Sequence, residues 1–299
     1  MKAWLSYIPF RVAAAVFGLL PEPAVRWLGE TGGKIWHARS GDRIPLLTSH
    51  MRRVLGEEAT DAAVGEAVEG MFRSYARYWA ETFWFRPRKK SAISGRVEHV
   101  NFEPIYAAQQ AGRGIVFAVP HMGNWEVAGI VANEIGSPIM AVAEDLPNEH
   151  ITKWFVDLRR KFDIDIVLTT DPGLRSKLMR RLKDGGAIAL LADRDVTGGG
   201  VEVEFFGGAA PVPVGPVVFA ELTGASLIPV AAYFQEGPGH RIVVHDEVVL
   251  PEGESRSERV SAGAQLLVRS LEELIAQAPP QWHLFQPHWL DDPGRRSTS

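Results

Sequence analysis

The stretch His121-Met122-Gly123-Asn124-Trp125-Glu126 supplies an imidazole, a carboxylate and, between them, the residue types that turn a chain. On a continuous helix, residues five apart point about 140° away from each other, so His121 and Glu126 can meet only if Gly123 and Asn124 make a turn. A carboxylate that accepts a hydrogen bond from one imidazole nitrogen fixes the tautomer and leaves the other nitrogen free as a base. That is a triad without its nucleophile. The chain has no cysteine, which excludes a Cys acyl-enzyme, and it has no Gly-x-Ser-x-Gly elbow. The remaining chemistry is direct: His121 deprotonates a substrate hydroxyl, the hydroxyl attacks an acyl donor, and Glu126 orients the ring. Asn124 or a backbone N–H of the turn is the candidate donor to the developing oxyanion. A helix-capping histidine beside a solvated glutamate fits the spacing equally well.

The surrounding chain must position these groups. Ile115 to Val119 is a continuous apolar run, as in a strand buried on both faces. Pro120 ends it, and 126–135 has helical apolar spacing. His121 therefore belongs on a strand-to-helix turn at the carboxyl edge of a sheet, where open α/β sheets bind ligands. Further strands are expected at 139–143, 164–168, 187–192 and 227–234, separated by helices at 148–162, 173–184 and 215–223. This alternation predicts an α/β fold, a mainly parallel sheet covered on both faces. Residues 227–234 and 241–250 read as an antiparallel hairpin, a last helix spans about 257–277, and Arg295 to Ser299 reads as a disordered tail.

Parallel strands open their carboxyl ends on the side of His121. Glu144, Asp193, Arg194 and Asp195 each follow a strand candidate, so they are expected on the same rim, as polyol and phosphate ligands or as local ion pairs. Arg159 and Lys161 could reach that rim or lie on a solvated helix face. Glu202 and Glu204 alternate with Val201, Val203 and Phe205, which predicts a ribbon with both glutamates on one face, able to lend Glu202 or Glu204 to the acceptor site. The glycines at 198–200 fit no phosphate-loop pattern, and His121 with Glu126 lacks the spacing of a zinc helix, so neither nucleotide hydrolysis nor a catalytic metal is expected.

The first 90 residues are organised differently. Residues 43–90 read as helical with a break near Gly56, and Phe72, Ala76, Trp79 and Phe83 form a stripe that Tyr75, Tyr78, Trp84 and Phe85 thicken into an aromatic wall. This wall is core, or in part the side of an acyl-chain groove. The cluster Arg86-Pro87-Arg88-Lys89-Lys90 either meets phosphates or is solvated. Residues 1–28 place Trp4, Ile8, Val12, Val16 and Leu19 on a helical stripe, but the apolar run from Val12 to Leu20 is too short for the roughly 20 residues of a spanning helix. An amphipathic helix lying in a membrane interface is the functional reading, and packing on the protein's own core is the alternative. No small-residue cleavage site follows, so no signal peptide is expected. Net charge is -4 for the whole chain. Residues 1–90 carry 14 Lys and Arg against 9 Asp and Glu, a net of +5 suited to anionic lipid head groups. With 299 residues and 46% hydrophobic content, a large core is available. The expected division is a helical, membrane-facing region over 1–90 and an α/β core over 91–299, joined as one compact unit.

His-x4-Glu after a buried strand resembles the His-x4-Asp/Glu signature of glycerolipid and lipid A acyltransferases, and His-x-Gly-Asn-Trp-Glu is similar to their lauroyl acyltransferase-type branch. Ser74-Tyr75-Ala76-Arg77-Tyr78-Trp79, Val142-Ala143-Glu144, Ala192-Asp193-Arg194-Asp195, Gly200 to Gly207 and Gln281-Trp282-His283-Leu284-Phe285-Gln286-Pro287 extend the resemblance over nearly the whole chain, to the phosphatidylinositol mannoside acyltransferases of actinobacteria. One departure is Glu126, where that subgroup is expected to carry Asp. The resemblance implies transfer of a long acyl chain from acyl-CoA or an acyl carrier protein, as co-substrate and with no resident cofactor, to a hydroxyl of a phosphatidylinositol mannoside. It implies rim roles for Glu144 and Arg159, and a second acidic residue working with the histidine, for which Glu202 is the candidate. A lipid A-type or lysophospholipid acyltransferase is the alternative enzyme, and a lipid-binding protein without catalysis the alternative class. The expected partners are an anionic membrane surface, the acyl donor and a glycolipid acceptor, with no nucleic acid. The expected place is peripheral, on the cytoplasmic face of the plasma membrane, without a spanning helix.

Overall fold

The computed structural model describes residues 2–195, 198–253 and 255–295, and side chains from Tyr7 onward. The side chain of Trp4 in the first stripe and residues 296–299 of the expected tail lie outside that set. Four helices open the chain: α1 (Lys2–Leu19), α2 (Glu22–His37), α3 (Ile44–Leu55) and α4 (Asp61–Trp84). Pro21 and Pro23 explain the break after α1, since proline cannot donate inside a helix but fits its first turn. Thr60 caps α4 through its hydroxyl, which accepts from the Ala63 N–H. Gly33 lets α2 press against α4, because a Cβ there would come within 2.5 Å of the Arg73 Cα.

After a 3-10 turn and the short α5 (Lys90–Ser94), strands and helices alternate. They run β1 (Val97–Val100), α6 (Glu103–Gln110), β2 (Ile115–Val119), α7 (Trp125–Glu134), β3 (Ile139–Ala143), α8 (Glu149–Arg160), β4 (Asp165–Leu168), α9 (Leu174–Lys183) and β5 (Ala187–Leu191). A hairpin of β6 (Val201–Phe205) and β7 (Gly208–Val212) stands apart from the sheet. Then come α10 (Gly215–Thr223), the hairpin of β8 (Ser226–Phe234) and β9 (His240–Val244), and α11 (Arg256–Ala276), which opens with a capping box of Ser255 and Glu258.

The sheet order is β1-β9-β8-β2-β5-β3-β4, parallel except where β8 meets β9. The mainly parallel α/β sheet read from the sequence is thus present. Every residue of β2 and β8 is buried, and alternate side chains serve two cores. Val116, Ala118, Leu227 and Ala231 pack on one face with α9, α10 and α11. Phe117, Val119, Ile228 and Val230 pack on the other with α6, α7 and α8. The long α4 contributes Val64, Met71 and Phe72 to the first core and Ala80 and Trp84 to the second.

Among the elements not expected from the sequence are β1, whose Val-Glu-His-Val is half polar, α6 after it, the separate α2 and the second hairpin strand β7. The second strand of the β8–β9 hairpin also ends at Val244 rather than at 250. Among the described residues no helix is long and apolar enough to cross a membrane. On α1, Phe10 and Phe17 pack inward against Phe83, while Ile8, Val12, Val16 and Leu19 remain exposed.

Candidate active site

Sheet register decides which side chains meet at the centre. β2 pairs with β5 so that Val119 lies opposite Leu191, and the Ala192 N–H donates to the Val119 carbonyl. Two residues further along each strand end, His121 and Asp193 come face to face. His121 Nδ1 lies 2.6 Å from Asp193 Oδ1. The second carboxylate oxygen accepts from the His121 backbone N–H at 3.1 Å and from the Trp282 indole N–H at 2.8 Å. Burial alone would raise the Asp193 pKa, but the charge and hydrogen bond of His121, the Trp282 bond and the nearby Arg194 hold it well below the usual carboxylate range. A fully buried carboxylate kept ionised against Nδ1 leaves Nε2 as the basic nitrogen. His121 itself lines a cleft of about 460 Å³.

Glu126 was expected to orient His121, and the structure corrects this. The turn forms as expected, with Gly123 at φ +54, where a Cβ would run into the Ala232 carbonyl at 1.9 Å. It does not bring the two side chains together. Glu126 sits in the first turn of α7, where the helix dipole favours a carboxylate. There it takes both Nε and Nη2 of Arg159, at 3.0 and 2.6 Å, and the Tyr78 hydroxyl at 3.3 Å. A bidentate guanidinium outcompetes a single imidazole nitrogen that Asp193 already holds. Burial lowers the Arg159 pKa, but Glu126 and Tyr78 together raise it further than that, and the guanidinium stays charged. For Tyr78, burial and then the Glu126 charge push the phenol well above its ordinary value.

The remaining rim residues divide. Glu144, Arg159 and Arg194 line the same cleft as His121, with Tyr75, Tyr78, Trp79 and Trp125 forming an aromatic wall. Tyr78 stacks on Trp125 with ring centroids 4.1 Å apart. Arg194 donates to the Gln286 side chain at 2.9 Å. Asn124 does not reach the cleft: it is wholly buried, and its amide donates to Glu81 at 2.9 Å, so it cannot be the oxyanion donor. Asp195 turns away to accept from the Gly198 and Gly200 backbone N–H groups, because an aspartate before a glycine run readily closes such a turn. Glu202 is exposed on the outer face of β6, whose inner face packs on α11. The acid beside His121 is therefore Asp193, not Glu202. Lys161 lines a different pocket, on another side of α8.

The segment 281–283, part of the string that extends the resemblance, lies directly against the His121 turn. The Gly123 N–H donates to the Gln281 carbonyl at 2.9 Å and the His283 N–H to the His121 carbonyl at 2.7 Å, so this segment lies as an antiparallel bridge along the His121 turn. His283 joins the cleft, with Nε2 2.8 Å from the Ser74 hydroxyl. Burial, then the neighbouring His121, lower its pKa to about 3, so it is neutral at physiological pH. The Gln-Trp-His string was visible in the sequence, but its contact with residues 160 positions earlier was not.

A mainly parallel sheet thus holds, at the mouth of an aromatic cleft, a histidine fixed by a buried carboxylate, the arrangement of a general base. The chain belongs to the bacterial lipid A biosynthesis acyltransferase family, whose model matches residues 1–291, and it is an acyltransferase. Among its relatives, a phosphatidylinositol mannoside acyltransferase of Mycolicibacterium smegmatis is 34% identical over 276 residues, covering 91% of this chain and 88% of the relative. Proteins of the same description from two strains of Mycobacterium tuberculosis are 34% identical over 279 residues, covering 91% of this chain and 85% of each.

Proposed function

We propose that the protein transfers a long acyl chain from a coenzyme A or carrier-protein thioester to a hydroxyl of a phosphatidylinositol mannoside at a membrane surface. The observation that carries this reading is the 2.6 Å contact between His121 Nδ1 and the buried Asp193. Nε2 of His121 takes the proton of the acceptor hydroxyl as its oxygen attacks the thioester carbonyl. The tetrahedral intermediate collapses, the carbon–sulfur bond breaks, and the departing sulfur takes the proton from Nε2, so that it leaves as the free thiol and His121 returns to its neutral form. Asp193 stabilises the imidazolium between these events and stays ionised. No resident cofactor takes part.

Three features support the substrate classes. Beneath the cleft runs a narrow cavity of about 90 Å³ lined by aliphatic and aromatic side chains apart from Glu126 and Arg159, and it shares Trp125, Val142 and Leu191 with the cleft. Its apolar lining suits the methylenes of an acyl chain. Glu144, exposed at the rim, and Arg194 suit a sugar and a phosphate. The exposed Ile8, Val12, Val16 and Leu19 of α1, with Trp27 and Ile35 of α2, suit a lipid interface. The test offers purified protein a long-chain acyl-CoA together with mannosylated phosphatidylinositol, unmannosylated phosphatidylinositol or lysophosphatidic acid. Preferred acylation of the mannosylated lipid is expected. Preference for lysophosphatidic acid would overturn the assignment.

A further inference from the structure

A pocket of about 430 Å³ lies between α1, the chain that follows α4, and α8. It shares the wall of α8 with the His121 cleft. Thr152, Phe155, Val156 and Arg159 face the cleft, and Lys153, Trp154, Asp157 and Lys161 face this second pocket. Arg11 enters it from α1 and Arg86 from the end of α4. Four permanent cations thus surround a single carboxylate, and that carboxylate already has Arg160 at 3.8 Å.

Arg86 is the anchor of the group. Its guanidinium donates to the carbonyls of Phe83 at 2.8 Å and Phe85 at 2.6 Å, and to that of Ala14 in α1. Carbonyl partners fix where a guanidinium sits without neutralising its charge. Burial first, then the like charges of Arg88 and Arg11, depress its pKa, which marks a concentration of positive charge. Arg11, Lys153 and Lys161 are exposed, and among the described residues none of them has a carboxylate within ion-pair distance. An adjoining hollow shares Ala15, Arg86 and Pro87 and is bounded by Arg88 and Leu19, which is 81% exposed, so the cations border the apolar outer face of α1.

We propose that Arg11, Arg86, Lys153 and Lys161 form a binding site for a phosphate group, separate from the His121 cleft and one helix width away from it. Two sources carry that chemistry: the nucleotide phosphates of a coenzyme A donor and the phosphodiester of an anionic phospholipid. Either would place a doubly or singly charged oxygen cluster against a guanidinium fixed by its carbonyl partners, beside the exposed Lys153 and Lys161. The site can be probed without turnover, so it stands or falls independently of the acyl acceptor.

The test compares the wild-type protein with Lys153→Glu/Lys161→Glu, and with Arg175→Glu/Arg180→Glu on α9 as a variant of equal formal charge. Adenosine 3′,5′-bisphosphate binding is measured by calorimetry, and vesicle binding by flotation with phosphatidylcholine, with and without phosphatidylinositol. Loss of the lysine pair is expected to weaken at least one probe by roughly tenfold or more, while the α9 variant binds as wild type. A loss confined to the bisphosphate assigns the site to the donor, and one confined to phosphatidylinositol vesicles assigns it to the lipid. Lys153→Gln/Lys161→Gln, which adds no new charge, should show the same selectivity if the charge reversal disturbs folding. A wild-type protein that binds neither probe, unchanged binding in both lysine variants, or an equal loss in the α9 variant overturns the proposal.

Discussion

At the scale of single residues, two carboxylates near His121 have different tasks, and their variants should separate. Asp193→Asn removes the charge that holds the imidazolium, so the chemical step should fall by roughly 10²–10⁴, as should that of His121→Ala. Single-turnover rates corrected for folded fraction would check this, and a wild-type rate in either variant would refute the pair. Glu126→Gln instead leaves Arg159 facing a neutral group, with Glu126 only 7% and Arg159 18% exposed in their side chains. It should cost roughly 3 kcal/mol of stability. Adding Arg159→Gln should return part of that loss in a denaturant titration, and the pH dependence of the surviving activity should match wild type. His121, the turn and the strand before it were all legible because they are local. The partner acid was not, since Asp193 follows another strand and reaches His121 only through the β2–β5 register. A search for acids two residues past a neighbouring strand end would have found it, because Ala192-Asp193-Arg194-Asp195 already stood out.

At the scale of elements, a buried polar knot ties α4 to the His121 turn and to the β8–β9 hairpin. Glu81 accepts from Asn124 at 2.9 Å and from Arg77 Nε at 2.8 Å, with His240 Nε2 at 2.9 Å, while Arg77 also reaches the carbonyls of Gln235 and Gly237. Burial raises the Glu81 pKa, but His240 and Arg77 outweigh it and bring the value down to about 2, against an ordinary 4.5. The folded protein therefore binds this proton less tightly than the unfolded chain. The knot's contribution is full above about pH 4.5 and is lost as pH falls toward about 2. The denaturation midpoint should drop through that window, and Glu81→Gln should flatten the drop; an equally steep drop in the variant would exclude the knot as its source. Most helices were legible to within a residue or two, as with α7, α9 and α10, because their apolar spacing is regular. β1 escaped because only its two valines face inward at all, so its four residues carry no apolar run.

At the scale of the molecule, the charge asymmetry and the apolar stripe on α1 were both legible, but the face on which the stripe lies was not. The helix is apolar around most of its circumference, so Phe10 and Phe17 satisfy the core while Val12 and Val16 stay outside. Val12→Asp/Val16→Asp should therefore weaken binding to anionic vesicles with little change in melting temperature. Added salt should weaken the wild-type protein further by screening its basic component. Vesicle binding unchanged in that variant would remove α1 from the membrane contact.

The bridge between residues 281–283 and the His121 turn also bears on the timing of synthesis. A chain growing from the ribosome completes the sheet only when β8 and β9 have emerged, at Val244, yet the second oxygen of Asp193 still lacks its indole donor until Trp282 follows. Completion of the sheet and maturation of the site are thus separated by the last stretch of translation, which carries α11. Nascent chains arrested between β9 and Trp282 should be folded in the sheet and silent in catalysis, so that a half-made enzyme cannot act on lipid.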